Sequence, residues 1–191
     1  ASKTTIGEQQ IGSYGLYFGR VTEEKGVETV IKAYEKLPEY TVKIMGDDTT
    51  DEAKRLKKYV ENHKIKNVEF LGFKSGAELE NIIKGARFTL IPSIWYDNLP
   101  NTALESFQYS KPVIASNIGS LPELVSDGEN GYLFEPSNVE DLIKKIKMLD
   151  DDILVKRMGE ASRKRLESRF APQSHYEALM KIFNDAAKNR K

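Results

Sequence analysis

Short apolar segments alternate along the chain with longer segments whose apolar residues recur at helical spacing. Six segments rich in β-branched, aromatic and aliphatic residues predict strands: Tyr14–Gly19, Thr41–Gly46, Val68–Gly72, Arg87–Pro92, Pro112–Ser116 and Gly131–Phe134. Between them, as in residues 27–37, apolar side chains repeat every three or four positions. Strands joined by helices form βαβ units, so the pattern predicts an α/β, Rossmann-like parallel sheet of about six strands with helices on both faces.

The chain after the sixth predicted strand is helical throughout. The pattern there predicts three extra C-terminal helices, Asn138–Leu149, Asp152–Phe170 and Gln173–Lys188, with Pro172 separating the last two. We therefore expect a single Rossmann-like domain over residues 14–191. Residues 1–13 are expected to be an N-terminal extension or a tag remnant.

Composition excludes several classes of protein. The 191 residues include 39% hydrophobic residues, which is too many for a disordered chain. The 29 basic and 29 acidic residues give a formal net charge of +0, which argues against bulk electrostatic binding of nucleic acid. The sequence contains no cysteine, so disulfides and cysteine nucleophiles are excluded. These features lead us to expect a cytoplasmic protein that does not bind nucleic acid.

Charged residues follow the first predicted strand directly. Ligands of open parallel sheets bind beyond the carboxyl ends of the strands, so the strand exits are the segments of interest. The first exit, which begins at Gly19, places Arg20 and Lys25 five residues apart before a predicted helix. A guanidinium and an ammonium together suit a phosphate-bearing ligand. The alternative is that Lys25 pairs with Glu23 or Glu24 and that Arg20 only caps the sheet.

The fourth strand exit leads into another predicted helix. Asn98 is a candidate N-cap and Pro100 is tolerated in a first turn, so we expect an anion site at the backbone N–H groups of Asn101, Thr102 and Ala103. Glu105 lies about 6 Å further along that helix and can accept hydrogen bonds from a ribose diol. Alternatively, Asp97 only interacts with the helix dipole and Glu105 is a surface residue.

These exits carry a resemblance to a known family. The segment from Gly19 to Gly26 resembles the G-R-x-x-x-x-K-G motif of family 4 retaining glycosyltransferases, and Asp97 with Glu105 resembles the E-x7-E motif of that family. Further segments resemble the family's remaining motifs in the same order: Pro92–Pro100, Lys111–Ser116, Gly119–Val125 and Asn130–Phe134.

The resemblance implies the C-terminal, donor-binding domain of a GT-B type enzyme, whose N-terminal acceptor domain is absent from this chain. It implies that Arg20 and Lys25 bind the donor diphosphate and that Glu105 binds the ribose. It also implies that Asp97 faces the donor sugar, and these roles make Arg20, Lys25 and Asp97 the expected catalytic residues. Phe73 and Lys74 are expected near the base. Asp97 is one methylene shorter than the family glutamate, which affects contacts with the sugar.

The activity implied by the resemblance is retaining, metal-independent transfer of a hexose from a nucleotide-diphospho-sugar, of UDP or GDP type, to a glycan or lipid-linked acceptor. No cofactor and no metal ligand are expected, and the full enzyme is expected to associate peripherally with the inner face of the membrane. The domain by itself is expected to be inactive. The alternatives are half of a nucleotide-sugar epimerase and a non-catalytic α/β binding module.

Other polar and aromatic groups have ordinary interpretations. Asp47, Asp48 and Asp51 are expected to cap the helix that starts near Asp51 rather than to bind a metal. His63 and His175 have no pattern of catalytic partners and are not assigned to catalysis. The basic segment 156–169 is expected to be a solvated helix face. For the aromatic pair Trp95 and Tyr96 two alternatives stay open, stacking on a sugar or packing beneath the loop.

Overall fold

A computed structural model of the protein describes residues 10–96, 98, 100–170 and 180. Its six strands form one parallel sheet, in the order β3-β2-β1-β4-β5-β6. The strands are β1 (Tyr14–Phe18), β2 (Thr41–Met45), β3 (Val68–Gly72), β4 (Ala86–Ile91), β5 (Val113–Ser116) and β6 (Gly131–Phe134). The predicted fold class is confirmed, and each strand lies within one residue of its predicted bounds.

The order of the strands reverses at the centre of the sheet. β1 pairs with β2 on one side, with Leu16 opposite Lys43, and with β4 on the other, with Leu16 opposite Thr89. The chain therefore builds outward from β1 in one direction and, from β4, in the other. From this point β1 leads to α1 (Val27–Glu35) on one face of the sheet and β4 leads to α4 (Asn101–Gln108) on the other. A crevice forms there at the carboxyl edge of the sheet, where ligands of such folds bind.

Helices cover both faces of the sheet. The helices are α1 (Val27–Glu35), α2 (Asp51–Asn62), α3 (Gly76–Lys84), α4 (Asn101–Gln108), α5 (Leu121–Leu124), α6 (Val139–Met148) and α7 (Asp152–Arg169), and a 3-10 helix (Glu23–Lys25) precedes α1. Side chains of α1, α2 and α6 join the core on one face, and those of α3, α4 and α5 form two clusters on the other. Burial on both faces explains why the strands are almost uninterruptedly apolar.

Side-chain caps set the start of both C-terminal helices that the structure describes. Asn138 accepts a hydrogen bond from the Asp141 N–H, and Asp151 accepts one from the Ile153 N–H. These helices confirm two of the three predicted C-terminal helices, while the third, over 173–188, lies outside the described residues apart from position 180. No helix in the described part of the chain is long and apolar enough to cross a membrane.

Candidate functional site

Two adjoining cavities open at the carboxyl edge of the sheet. The smaller, of about 190 Å³, lies between the β1–α1 loop and the start of α4, and the larger, of about 620 Å³, extends toward the ends of β2 and β3. Both are lined by Phe18, Gly19, Arg20 and Thr102, so they form one continuous crevice. The crevice lies at the reversal of strand order, where the fold predicts a ligand.

The β1–α1 loop brings the two predicted cations to the smaller cavity. Arg20 and Lys25 both line it. The Tyr17 hydroxyl donates to the Arg20 carbonyl and fixes the backbone there, while Gly19, at φ 146°, adopts a conformation that favours glycine. The Arg20 guanidinium lies 3.8 Å from the Glu24 carboxylate, and both side chains are exposed. Exposed ion pairs are weak, so an anionic ligand can displace Glu24 from Arg20.

The start of α4 forms the opposite wall of the smaller cavity, but two details of its prediction are wrong. The N-cap is Pro100 rather than Asn98, because the extended backbone of Pro100 (φ −70°, ψ 110°) delays the helix to Asn101. The buried Ala103 donates its N–H to the Pro100 carbonyl at 3.0 Å, so this group is already used inside the first turn. Asn101 and Thr102 line the cavity, so both stay candidates for the predicted anion site.

The larger cavity collects the remaining predicted binding residues. Phe73, Lys74 and Glu105 line it together with apolar groups. Burial raises the pKa of the Glu105 carboxyl, because the loss of surrounding water disfavours its charged form. The Lys74 ammonium pairs with the Glu78 carboxylate at 2.8 Å, and the Phe73 side chain is 74% exposed at the rim. The cavity thus combines apolar walls with two carboxylates, Asp47 and Glu105, and two cations, Arg20 and Lys74.

Asp97 lies outside the described residues, but the aromatic pair before it is described. Trp95 is 67% exposed and Tyr96 is 73% exposed. The alternative in which these rings pack beneath the loop is therefore wrong.

The aspartates and His63 have local structural partners. Thr50, and not an aspartate, caps α2 by accepting from the Ala53 N–H, while Asp47 accepts hydrogen bonds from the backbone and hydroxyl of Thr49. His63 interacts through Nδ1 with the Tyr59 carbonyl at 2.9 Å, and His175 lies outside the described residues. Among residues 10–96, 98, 100–170 and 180, no group of three or more histidines and carboxylates is placed to hold a metal ion.

The basic segment 156–169 is not simply a solvated face. Arg163 donates to the Gln108 carbonyl at 2.7 Å, and Arg165 donates to the Glu123 carbonyl at 2.5 Å. These arginines link α7 to the ends of α4 and α5. The prediction was wrong for them because sequence alone does not show that carbonyl groups at helix ends, which need donors, face this helix.

Sequence reasoning missed one buried cation. Lys111 is 2% exposed, and its ammonium donates to the carbonyls of Gln10, Lys84 and Ala86 at 2.6–2.8 Å. Burial lowers the pKa of Lys111 to about 8. The ammonium ties the segment before β1 to the α3–β4 turn, on the side of the sheet away from the crevice. Only its position directly before a predicted strand distinguished it from a surface lysine.

Comparisons with known proteins agree with this architecture. The chain matches the family described as "Glycosyl transferases group 1" over residues 8–165. It is 30% identical over 174 residues to an uncharacterized glycosyltransferase of Methanocaldococcus jannaschii, covering 91% of this chain and 48% of the relative. The chain thus spans about half the length of the curated relatives it matches.

Two solved structures show the same fold. One is the complex of Anabaena HepE with UDP, which superposes with a TM-score of 0.82 at 22% identity and covers 91% of this chain and 49% of HepE. The other is the C-terminal domain of a glycosyl transferase group 1 family protein from Francisella tularensis, with a TM-score of 0.72 at 26% identity. That match covers 84% of this chain and 87% of the Francisella domain.

Proposed function

Because the chain belongs to the glycosyl transferases group 1 family, we propose that it binds a nucleoside-diphosphate sugar as the donor-binding, C-terminal domain of a retaining, metal-independent hexosyltransferase. The acceptor-binding domain then precedes it in a longer protein. Two findings support this division: the chain spans about half of its curated relatives, and it matches most of a structure described as a C-terminal domain.

The continuous crevice is the observation that carries the proposal. Its smaller part has Arg20 and Lys25 on one wall and the start of α4 on the other, which suits a diphosphate. Its larger part has apolar walls and ends at Glu105, which suits a nucleoside whose ribose hydroxyls donate to a carboxylate. HepE, which shares the fold, has been solved with UDP bound.

The same groups suit the chemistry of sugar transfer. When the bond between the anomeric carbon and the diphosphate oxygen breaks, negative charge develops on the nucleoside diphosphate. Arg20, Lys25 and the start of α4 line the same cavity, which supports the proposal that the two cations and the positive end of the α4 dipole stabilise that charge as it forms. Each charge-assisted hydrogen bond contributes about 1.5–3 kcal/mol.

In the proposed retaining reaction, the acceptor hydroxyl attacks from the face that the diphosphate leaves. A new bond forms between the acceptor oxygen and the anomeric carbon, and a diphosphate oxygen takes the hydroxyl proton. This half of the enzyme then needs to supply no protein base. Asp97 is proposed to face the donor sugar, and the acceptor is proposed to be a glycan or a lipid-linked saccharide bound mainly by the other domain.

Calorimetric titration of the chain with UDP, GDP and ADP tests the proposal. We expect saturable binding of one nucleoside diphosphate, unchanged by EDTA. Arg20→Ala and Lys25→Ala should each weaken it more than tenfold, above ~1.4 kcal/mol. Lys32→Ala is the matched control, because Lys32 lies on α1 and pairs with Glu28 away from the crevice. Absence of binding, or equal affinity of the crevice variants and the control, would contradict the proposal.

A further inference from the structure

Two large aromatic side chains stand exposed in the loop from β4 to α4, whose ends at Ser93 and Pro100 line the smaller cavity, and they have no role in the proposed donor site. Trp95 and Tyr96 follow β4 and precede α4, and about two thirds or more of each side chain is exposed to solvent. Aromatic rings carry large apolar surfaces, so two adjacent exposed rings offer such a surface to a ligand or a partner.

The backbone immediately before the two rings is firmly held. Ser93 is buried and lines the smaller cavity, and the Ile94 N–H donates to the Glu24 carbonyl at 2.9 Å. Gly26 lies so close to this segment that an added Cβ would be 2.0 Å from the Pro92 carbonyl oxygen. The start of the β4–α4 loop is therefore held against the β1–α1 loop, and the two aromatic residues follow directly from this fixed segment at the phosphate end of the crevice.

The positions of the two cavities define how a bound donor would be oriented in the crevice, and this step rests on the proposed function. The larger cavity, at the ends of β2 and β3, accommodates the nucleoside, and the smaller one, between β1 and β4, accommodates the diphosphate. The group attached to the far phosphate then leaves the crevice on the β4 side. That is the side on which Ser93 lines the cavity and Trp95 follows two residues later.

We propose that Trp95 and Tyr96 form a stacking platform for a pyranose ring at the glycosyl end of the crevice. The C–H groups on one face of a pyranose form an apolar surface, and the face of an aromatic ring is a complementary partner for it. The ring comes from one of two sources, the sugar of the donor or the terminal sugar of the acceptor, and both present this chemistry.

The chain contains a single tryptophan, so tryptophan fluorescence reports on Trp95 alone. We expect UDP or GDP alone to leave the emission nearly unchanged. UDP-glucose or GDP-mannose should change it if the platform holds the donor sugar. Methyl pyranosides, titrated with and without the nucleoside diphosphate, should change it if the platform holds the acceptor sugar. No response to any of these sugars would overturn the proposal.

A second experiment measures the affinity of variants for the sugar ligands and for the nucleoside diphosphate. Trp95→Ala and Tyr96→Ala should each weaken binding of the sugar ligand about fivefold, while affinity for the nucleoside diphosphate stays within about twofold. Tyr96→Phe, which keeps the ring, should restore binding. Ile153→Ala is the matched control, since Ile153 is 80% exposed on α7.

The outcomes separate this inference from the proposed function. If the nucleoside diphosphate binds normally but the alanine variants bind the sugar ligands like the control, the platform is wrong and the donor site stands. If no nucleotide binds, the proposed function fails, and the methyl pyranoside titration still decides whether the aromatic pair binds a sugar.

Discussion

The contact between Gly26 and the β4–α4 loop offers a sharp test of how the crevice is built. Gly26 has φ +66° and ψ 23°, a left-handed conformation, and an added Cβ would lie 2.0 Å from the Pro92 carbonyl oxygen. Real Cβ contacts are essentially never below 3.0 Å, so Gly26→Ala requires a shift of at least 1 Å in one of the two loops. The Ile94-to-Glu24 hydrogen bond joins the same loops and is expected to break.

The expected cost follows from these terms. A left-handed alanine costs roughly 1–2 kcal/mol, of which about 0.4–1 kcal/mol is offset because alanine restricts the unfolded chain. Loss of the backbone hydrogen bond adds about 0.5–1.5 kcal/mol, and the steric displacement adds about 1–3 kcal/mol. We therefore expect Gly26→Ala to lower the free energy of unfolding by about 2–6 kcal/mol.

Gly128→Ala is the matched control. Gly128 has φ +81°, but nothing lies within 4 Å of an added Cβ, so only the conformational cost of about 1 kcal/mol applies. Urea unfolding of both variants measures the difference. Gly26→Ala should also lower nucleotide affinity, because the displaced loop carries Lys25, whereas Gly128→Ala should not. Equal losses of stability in the two variants would refute the close-packing argument.

Three further predictions concern polar groups that are buried or half-buried. Asn67→Ala should lower the unfolding free energy by about 1–3 kcal/mol in urea titrations, since the Asn67 amide donates to three carbonyls at 2.7–2.9 Å; an unchanged midpoint would count against this. Burial lowers the pKa of Lys111 from 10.5 to about 8, so between these two pH values the native state has released a proton that the unfolded state keeps. The unfolding free energy of the wild type, relative to that of Lys111→Met, should therefore rise with pH over this range. A difference in unfolding free energy that does not change with pH would argue against a lowered pKa of Lys111. Because burial raises the pKa of Glu105, the charged carboxylate destabilises the native state, and Glu105→Gln should be more stable than the wild type at neutral pH. This difference in unfolding free energy should vanish below pH 4.5, where the wild-type carboxyl is protonated in both states. The same variant should lose the part of the nucleotide affinity that depends on the ribose. A constant difference across pH would contradict this.

The strands could be predicted closely because burial on both faces leaves a continuous apolar signal. β3 and β6 have the predicted bounds, and the other four differ by one residue at one or both ends. The start of α4 was predicted two residues early, because the N-cap is set by the extended backbone at Pro100 and not by the side chain of Asn98. The backbone angles at a helix start cannot be predicted from the spacing of residues in the sequence.

The candidate site could be predicted only in part. Arg20 and Lys25 follow from the rule that ligands bind at strand exits, and their position beside α4 follows from the pairing of β1 with β4. The donor role of Lys111 toward three carbonyls depends on chain segments far apart in sequence, so no local pattern reveals it. The exposure of Trp95 likewise could not be predicted from the sequence, because it depends on the three-dimensional structure around this residue.

A crystal structure of the chain with its nucleoside diphosphate bound would show whether the crevice is the donor site. We predict that diphosphate oxygens lie within about 3 Å of the Arg20 guanidinium, the Lys25 ammonium and polar groups at the start of α4. We also predict that both ribose hydroxyls contact Glu105. A diphosphate bound elsewhere on the domain, or one that contacts the cations but not the start of α4, would contradict it.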